Sequence, residues 1–216
     1  MVMLNFECQR CGECCKRYYI ISLPNEVAAQ AESRGLTVKE FKERHMQLFL
    51  QLFPYSNDDS KPCISSALIP KRILEQITGR TGDVPEFFLA LPMLVFKRRE
   101  DGACTFYDNA NSACTLYSTR PAECRMFPFI SDKKVENYSK LYPFCEGLKH
   151  KSADRSYVDL SFLHFSVVSR YFGEVKEKGF SQIWGEWPNE GVCLYTDKLL
   201  GPIAEKEFFG AIGPYK

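Results

Sequence analysis

Residues 8–15 read Cys8-Gln9-Arg10-Cys11-Gly12-Glu13-Cys14-Cys15. Two overlapping C-x2-C units bring three sulfurs within reach of one centre. The spacing suits metal binding because a tight turn aims both thiols of a unit the same way, and Gly12 eases such a turn. The adjacent Cys14 and Cys15 are expected to point apart, serving two neighbouring centres or one ligand and one bystander. Free cysteines seldom cluster outside redox and metal sites, so the stretch reads as chemistry rather than packing.

Three further cysteines follow at equal spacing, Cys104-x9-Cys114-x9-Cys124, and Cys145 comes after them. With the first four they make eight thiols, enough for two four-thiolate sites of the kind that hold structural zinc or an iron–sulfur cluster. The ferredoxin-like run C-x2-C-x2-C-x3-C-P is nearly present, but here the fourth cysteine follows the third directly. His45, His150 and His164 stand isolated. An all-cysteine donor set leans toward iron–sulfur, with [4Fe-4S] favoured over zinc, since zinc sites admit histidine freely. Cys63 and Cys193 belong to neither group and read as small buried hydrophobes.

Composition bounds the rest. The chain has 216 residues, 45% of them hydrophobic and 25% charged, which suits one compact unit with a buried core. Net charge is +1, which argues against a dedicated binder of nucleic acid or anionic membrane. Two filled four-thiolate sites would move that charge to about −3. Cations should therefore lie near the sulfurs. Arg10, Lys16, Arg17, Arg120 and Arg125 are placed for this in sequence. Arg120 and Arg125, which bracket Cys124, are the expected compensators, and Arg10 reads as a solvated surface charge. The N-terminus lacks the pattern of an export signal. The longest apolar run, Phe87 to Phe96, is ten residues, where a membrane span needs about 20. A cytoplasmic protein is expected, and in a reducing compartment dense cysteines point to metal rather than disulfides.

Local patterns predict an irregular α+β fold, with short strands packed against helices. A strand is expected over Arg17–Ile21 and a helix from Pro24 to Arg34, stopped at Gly35. Thr37 and Glu40 fit a capping box opening a helix to about Phe53, with Phe41, Leu48 and Leu52 on its apolar face. Short helices are expected over Pro70–Ile77 and Pro85–Leu91, then strands over Met93–Phe96, Cys104–Tyr107 and Ala113–Tyr117, the last two as a hairpin. Ser118 or Thr119 should cap a short helix entered through Arg120-Pro121 and stopped by Pro128. That helix would place Cys124 near its start, where free N–H groups favour a thiolate. A strand over Tyr157–Leu160 and a helix from about Ser161 to Gly179 follow, the helix with Phe162, Phe165, Val168 and Phe172 along its apolar face. Residues 1–146 form the expected cysteine-cluster metal-binding region, and residues 147–216 a helical support within the same unit.

The run Cys8-x2-Cys11-Gly12-x-Cys14-Cys15, then Cys104-x-Phe106, then Cys114-x2-Tyr117-x2-Arg120-Pro121-x2-Cys124-Arg125-x-Phe127-Pro128-Phe129, resembles the YkgJ-type cysteine-cluster family. Its members are described as zinc- or iron-chelating proteins and include relatives of flagellin lysine-N-methylase. The resemblance covers roughly residues 6–146. It implies metal binding by Cys8, Cys11, Cys14, Cys15, Cys104, Cys114, Cys124 and Cys145. Two functions are consistent with it. One is an iron–sulfur protein with a redox or protein-modifying role, acting on a protein partner or substrate. The other is a zinc-stabilised, non-enzymatic binding module. No glycine-rich nucleotide loop, Ser-His-Asp set or paired-carboxylate signature stands out, so no catalytic residue is nominated.

Overall fold

Gly12, with φ at 77°, turns the chain into α1 (Glu13–Arg17). Glu13 faces Lys16 and Arg17 one turn on, at 3.9 Å and 3.1 Å, and these pairs favour a helical turn. The helix therefore takes Arg17 out of the strand expected over Arg17–Ile21, and the chain becomes extended only at Tyr18. The computed structural model describes residues 8–55, 63–69, 71, 74–75, 84–130, 138–149, 157–178, 182–183, 193–195 and 199–202.

α2 (Pro24–Ser33) starts and stops where its residues say it should. Proline occupies the first turn, where a missing N–H costs nothing. Glu26 reaches back to the Leu23 N–H at 2.9 Å. At the other end the Gly35 N–H donates to Glu32 O and the Leu36 N–H to Ala31 O, both at 3.0 Å, with Gly35 at φ 65°. That is a Schellman stop, and its left-handed residue is the glycine. α3 (Val38–His45) opens on the expected box: the Glu40 N–H donates to Thr37 Oγ1 at 3.2 Å, and the Thr37 N–H to Glu40 Oε2 at 2.9 Å.

Helix α3 ends at His45, not near Phe53, because Met46–Tyr55 is strand β1. Leu48, Phe49 and Leu50 are all buried in succession. A strand covered on both faces buries consecutive residues, and such a run resembles a helix segment in composition. The same ambiguity explains Pro85–Leu91. Phe87–Phe96 is one strand, β3, so the strand expected over Met93–Phe96 is present but longer. β2 (Cys63–Ser65) pairs antiparallel with β3, through Ile64 and Phe88. A 3-10 turn follows over Ser66–Leu68. Of the helix expected over Pro70–Ile77, residues 71, 74 and 75 are helical and the others lie outside the described residues.

The chain next forms a small hairpin. Asp101 and Gly102 turn the chain ahead of it, with the Gly102 N–H donating to Arg99 O at 2.9 Å. Strands β4 (Tyr107–Asp108) and β5 (Ala113–Cys114) then pair antiparallel. They are shorter than Cys104–Tyr107 and Ala113–Tyr117. The Tyr107 N–H donates to Cys104 O at 3.0 Å, closing a turn inside the first, and Tyr117–Thr119 winds as a 3-10 turn.

α4 (Ala122–Met126) is capped at Pro121, and no side chain of Ser118 or Thr119 serves it. The Ala122 N–H donates instead to Glu26 Oε1, at 2.6 Å. Two one-turn helices follow, α5 (Tyr138–Leu141) and α6 (Glu146–Lys149). α7 (Tyr157–Lys178) then runs unbroken through the strand expected at Tyr157–Leu160. No breaker separates that β-favouring tetrapeptide from the helix after it, so it joins the helix. Of the apolar face expected for this helix, only the Phe172 side chain falls within the described residues, half-buried, while those of Phe162, Phe165 and Val168 lie outside them. β6 (Cys193–Tyr195) and β7 (Leu199–Pro202) complete a five-stranded sheet of order β2-β3-β1-β6-β7, with β1 and β6 parallel.

The chain divides into two compact units. The first holds residues 1–41 and 96–171, and the second 42–95 and 172–216. The sheet belongs to the second. In the first, Phe41 stacks on Phe106 at 5.7 Å, with Phe96 edge-on to Phe106 at 5.0 Å, and all three rings are buried. A second core joins Phe129, Tyr138, Cys145 and Leu148.

Glu26 is the bracket of the first unit. Its side chain is 9% exposed, and its two oxygens cap helices 96 residues apart in sequence. Replacing it (Glu26→Ala) leaves two part-buried N–H groups without this partner and should cost about 1–3 kcal/mol. Urea unfolding of both proteins measures the loss, and a change below about 0.5 kcal/mol would show that water replaces the carboxylate.

Candidate metal centre

The turn that begins α1 is built for close approach. Tyr107, on β4, lies where a side chain at Gly12 would be: a Cβ there would run into the end of the tyrosine ring. The Tyr107 hydroxyl donates to Arg10 O at 3.5 Å, and Arg10 itself has φ at 55°. A glycine at the crossing and a left-handed residue two positions before it fold the knuckle around the hairpin. One backbone bond fixes the register, the Cys104 N–H donating to Cys15 O at 2.9 Å.

This fold brings the sulfurs together. Cys8, Cys11, Cys14, Cys15, Cys114, Cys124 and Cys145 line one cavity, with Phe127 and Phe144 on its wall. Cys104 is buried, on the backbone that holds Cys15 and close enough to Cys114 and Cys124 to feel their charge. All eight predicted residues thus lie in the first unit. Cys63 and Cys193 stand on β2 and β6 in the second. Cys14 and Cys15 do not point apart. Both reach the cavity, and their thiols hydrogen-bond, because the helical turn of α1 swings them only partly away from each other.

Burial dominates the electrostatics of most of these thiols. The Cys14 thiol donates to the Cys15 sulfur, a bond that pushes Cys14 far up, and burial and the Cys15 charge add to it. Burial pushes Cys104 up to about 11, with repulsion from Cys114. Burial also raises Cys114, Cys124 and Cys145, and neighbouring cysteines raise each of them further. Cys124 does sit near the start of its helix, but desolvation, and then the Glu123 carboxylate, overwhelm the expected help from the helix dipole. Burial raises Glu123 itself to about 7, although the Ile21 N–H donates to it at 2.7 Å.

Such thiols stay protonated until a cation offsets their repulsion, and that is the chemistry of a metal site. The donor set fits either zinc or an iron–sulfur cluster, since both take thiolate. Among the described residues no three Cys, His, Asp or Glu side chains are already drawn together as if to hold one ion. The sulfurs instead spread around the wall of the cavity.

The cations differ from expectation in two places. Arg120 lines the cavity and lowers the Cys114 thiol, as a compensator should. Arg125 does not line it: its guanidinium turns out to Glu26, at 3.4 Å. Arg10, read from sequence as a solvated charge, lines the cavity and lies 4.4 Å above the Tyr117 ring. Sequence reasoning also missed the aromatic wall. Tyr18, Phe127, Tyr142 and Phe144 form a cluster with ring centroids 5.1–6.3 Å apart. The Phe127-Pro128-Phe129 and Tyr142-Pro143-Phe144 stretches beside Cys124 and Cys145 were its only signal.

A family model named CxxCxxCC, described as "Putative zinc- or iron-chelating domain", matches residues 7–146. The match agrees with the resemblance read from the double knuckle and the Arg-Pro stretch. No curated protein and no solved structure matches the chain. Among the described residues no helix is long and apolar enough to cross a membrane.

Gly12→Ala should force Tyr107 away from the knuckle and strain a positive φ. Metal bound per chain, measured by elemental analysis, should fall well below the parent value, and equal loading would show that the crossing can relax. A second outcome concerns the loop that carries Cys104. Arg99 holds the Asp101 carboxyl down to about 2, with help from the Ala103 N–H and Asn109. A depressed carboxyl stabilises the fold above its unfolded value near 3.8, and that contribution is lost as pH falls through about 2. A carbon-13 titration of the Asp101 carboxyl should find its midpoint near 2, and a midpoint near 3.8 would show the turn open in solution.

Proposed function

The chain belongs to the CxxCxxCC family, described as zinc- or iron-chelating, and on that premise we propose that it is an iron–sulfur protein with a redox or protein-modifying role. Its proposed ligands come from Cys8, Cys11, Cys14, Cys15, Cys104, Cys114, Cys124 and Cys145. One observation carries the preference for a cluster over a lone ion: seven thiols line the cavity spread along its wall, and the one carboxylate that joins them there among the described residues, Glu13, is paired with Lys16 and Arg17. A single tetrahedral zinc, at about 2.3 Å from each sulfur, draws four sulfurs to about 3.8 Å from one another. A multi-iron core reaches thiolates that stand farther apart.

An iron–sulfur cluster supplies one-electron transfer when bound. The chain's own residues would do the rest. The thiols would give up their protons on loading. Arg120 would offset part of the thiolate charge beside Cys114. Phe127, Phe144 and the tyrosines packed on them would keep water from one side of the cavity, which raises the strength of every charge interaction inside it.

Anaerobic purification followed by metal and acid-labile sulfide analysis decides the matter. A brown protein with iron and sulfide in equal amounts is expected. A colourless protein with stoichiometric zinc would replace this reading by that of a zinc-stabilised binding module. Cys124→Ser should lower the metal content of the anaerobic protein severalfold, and unchanged content would remove Cys124 from the ligand set.

A further inference from the structure

The structure sorts by partner the five cations read from sequence as placed for compensation. Lys16 and Arg17 share the Glu13 carboxylate, and Arg125 pairs with Glu26. Arg10 and Arg120 have no carboxylate partner among the described residues. Both guanidinium groups lie over one ring, that of Tyr117, at 4.4 Å and 3.6 Å. Arg120 donates its Nε–H to Tyr117 O at 3.1 Å, and among the described residues no hydrogen bond engages its terminal nitrogens. Arg10 is held from behind, its carbonyl accepting from the Tyr107 hydroxyl and its backbone in the left-handed region.

These three residues line the same cavity as the thiols. Tyr117 is 38% exposed and Arg10 is exposed, so these two stand on the solvent side, with Arg120 half-buried beside them. A ring that holds two guanidinium planes lowers the freedom each must lose when it binds, because stacking pre-orients the fork. Two such forks recognise a planar or tetrahedral oxyanion through charge-assisted hydrogen bonds. Phe127 and Phe144 line the same cavity with rings 6.3 Å apart and 20° from parallel, and the Arg17 guanidinium lies 4.5 Å from the Phe144 ring centre.

We propose that Arg10 and Arg120, stacked on Tyr117, form an oxyanion-binding mouth to the thiol cavity, taking the carboxylate or phosphate of a small organic ligand whose apolar body lies against Phe127 and Phe144. This goes beyond metal binding, because it assigns the cavity a second occupant. The bland function of the same two arginines is to neutralise thiolate charge, and the two functions separate experimentally.

The test uses the full chain, purified without oxygen, with metal quantified in every sample. Benzoate and phenyl phosphate are titrated separately while the arginine Nε–H signals are followed by NMR. The Arg10 and Arg120 signals should shift saturably with at least one probe, and the better probe tells carboxylate from phosphate. Arg10→Gln and Arg120→Gln should each weaken that binding about tenfold or more. Arg125→Gln, at the arginine already engaged by Glu26, should leave it unchanged. Neither probe saturating on the parent protein would overturn the proposal. So would glutamine variants that lose metal but bind the probe as the parent does, since the arginines would then serve the thiolates alone. Probe binding by a chain that carries no metal would overturn the iron–sulfur reading and leave this one standing.

Discussion

The cost of charging buried thiols that stand beside one another is the constraint on which the rest of the first unit depends. Seven cysteines share one cavity and an eighth lies beside it. Each thiolate formed there would raise its neighbours, and desolvation raises them all. The fold can therefore bring the sulfurs together only as neutral thiols or around a positive charge. Arg120 supplies some of that charge beside Cys114, and Arg98 and Arg99 some beside Cys104, yet all these thiols stay raised. A chelated cation supplies more, and the family to which the chain belongs is described by that capacity.

Around this constraint the backbone uses few devices, each made of small numbers of residues. Gly12 lets the knuckle pass Tyr107 where no side chain would fit. The Cys104 N–H sets the hairpin against α1. Glu26 and Glu123 act as paired caps across the same junction, one on the Ala122 N–H and the other on the Ile21 N–H. Carboxylates in these positions do the work that regular sheet does in the second unit. Short loops that carry ligands have few ladder bonds, so side-chain-to-backbone bonds must satisfy their amides instead.

What the sequence made legible followed from local chemistry. Pro24, Gly35, Thr37 and Glu40 act through neighbours no more than four residues away, and each stands where its capping function requires. The cysteines were legible for a related reason: no other residue clusters so rarely without cause. Misreadings fell where tertiary burial decides. Phe87–Phe96 is apolar throughout, and in Met46–Tyr55 only Gln47 and Gln51 interrupt the apolar run, four residues apart as a helix face would also space them, so their place within a sheet makes both strands. Arg10 and Arg125 exchanged parts because the distinction between them is made by Glu26, far away in sequence, which claims one and leaves the other to Tyr117.

Chain order gives the proposed metal a further consequence. The knuckle and the later cysteines belong to two stretches, residues 1–41 and 96–171, separated by a segment that folds into the other unit. A centre that takes ligands from both stretches closes a loop of about 90 residues between Cys15 and Cys104. In a chain-entropy picture, a crosslink of that length stabilises the folded state by about 4–5 kcal/mol, beyond the bonds to the metal. Glu26, the Cys104 N–H and the Phe41–Phe106 stack join the same two stretches without a metal. They can pre-form the cavity, but they do nothing to relieve the repulsion inside it. Metal affinity and folding stability of the first unit are thus two readings of one free energy, with Gly12 and Glu26 acting on both.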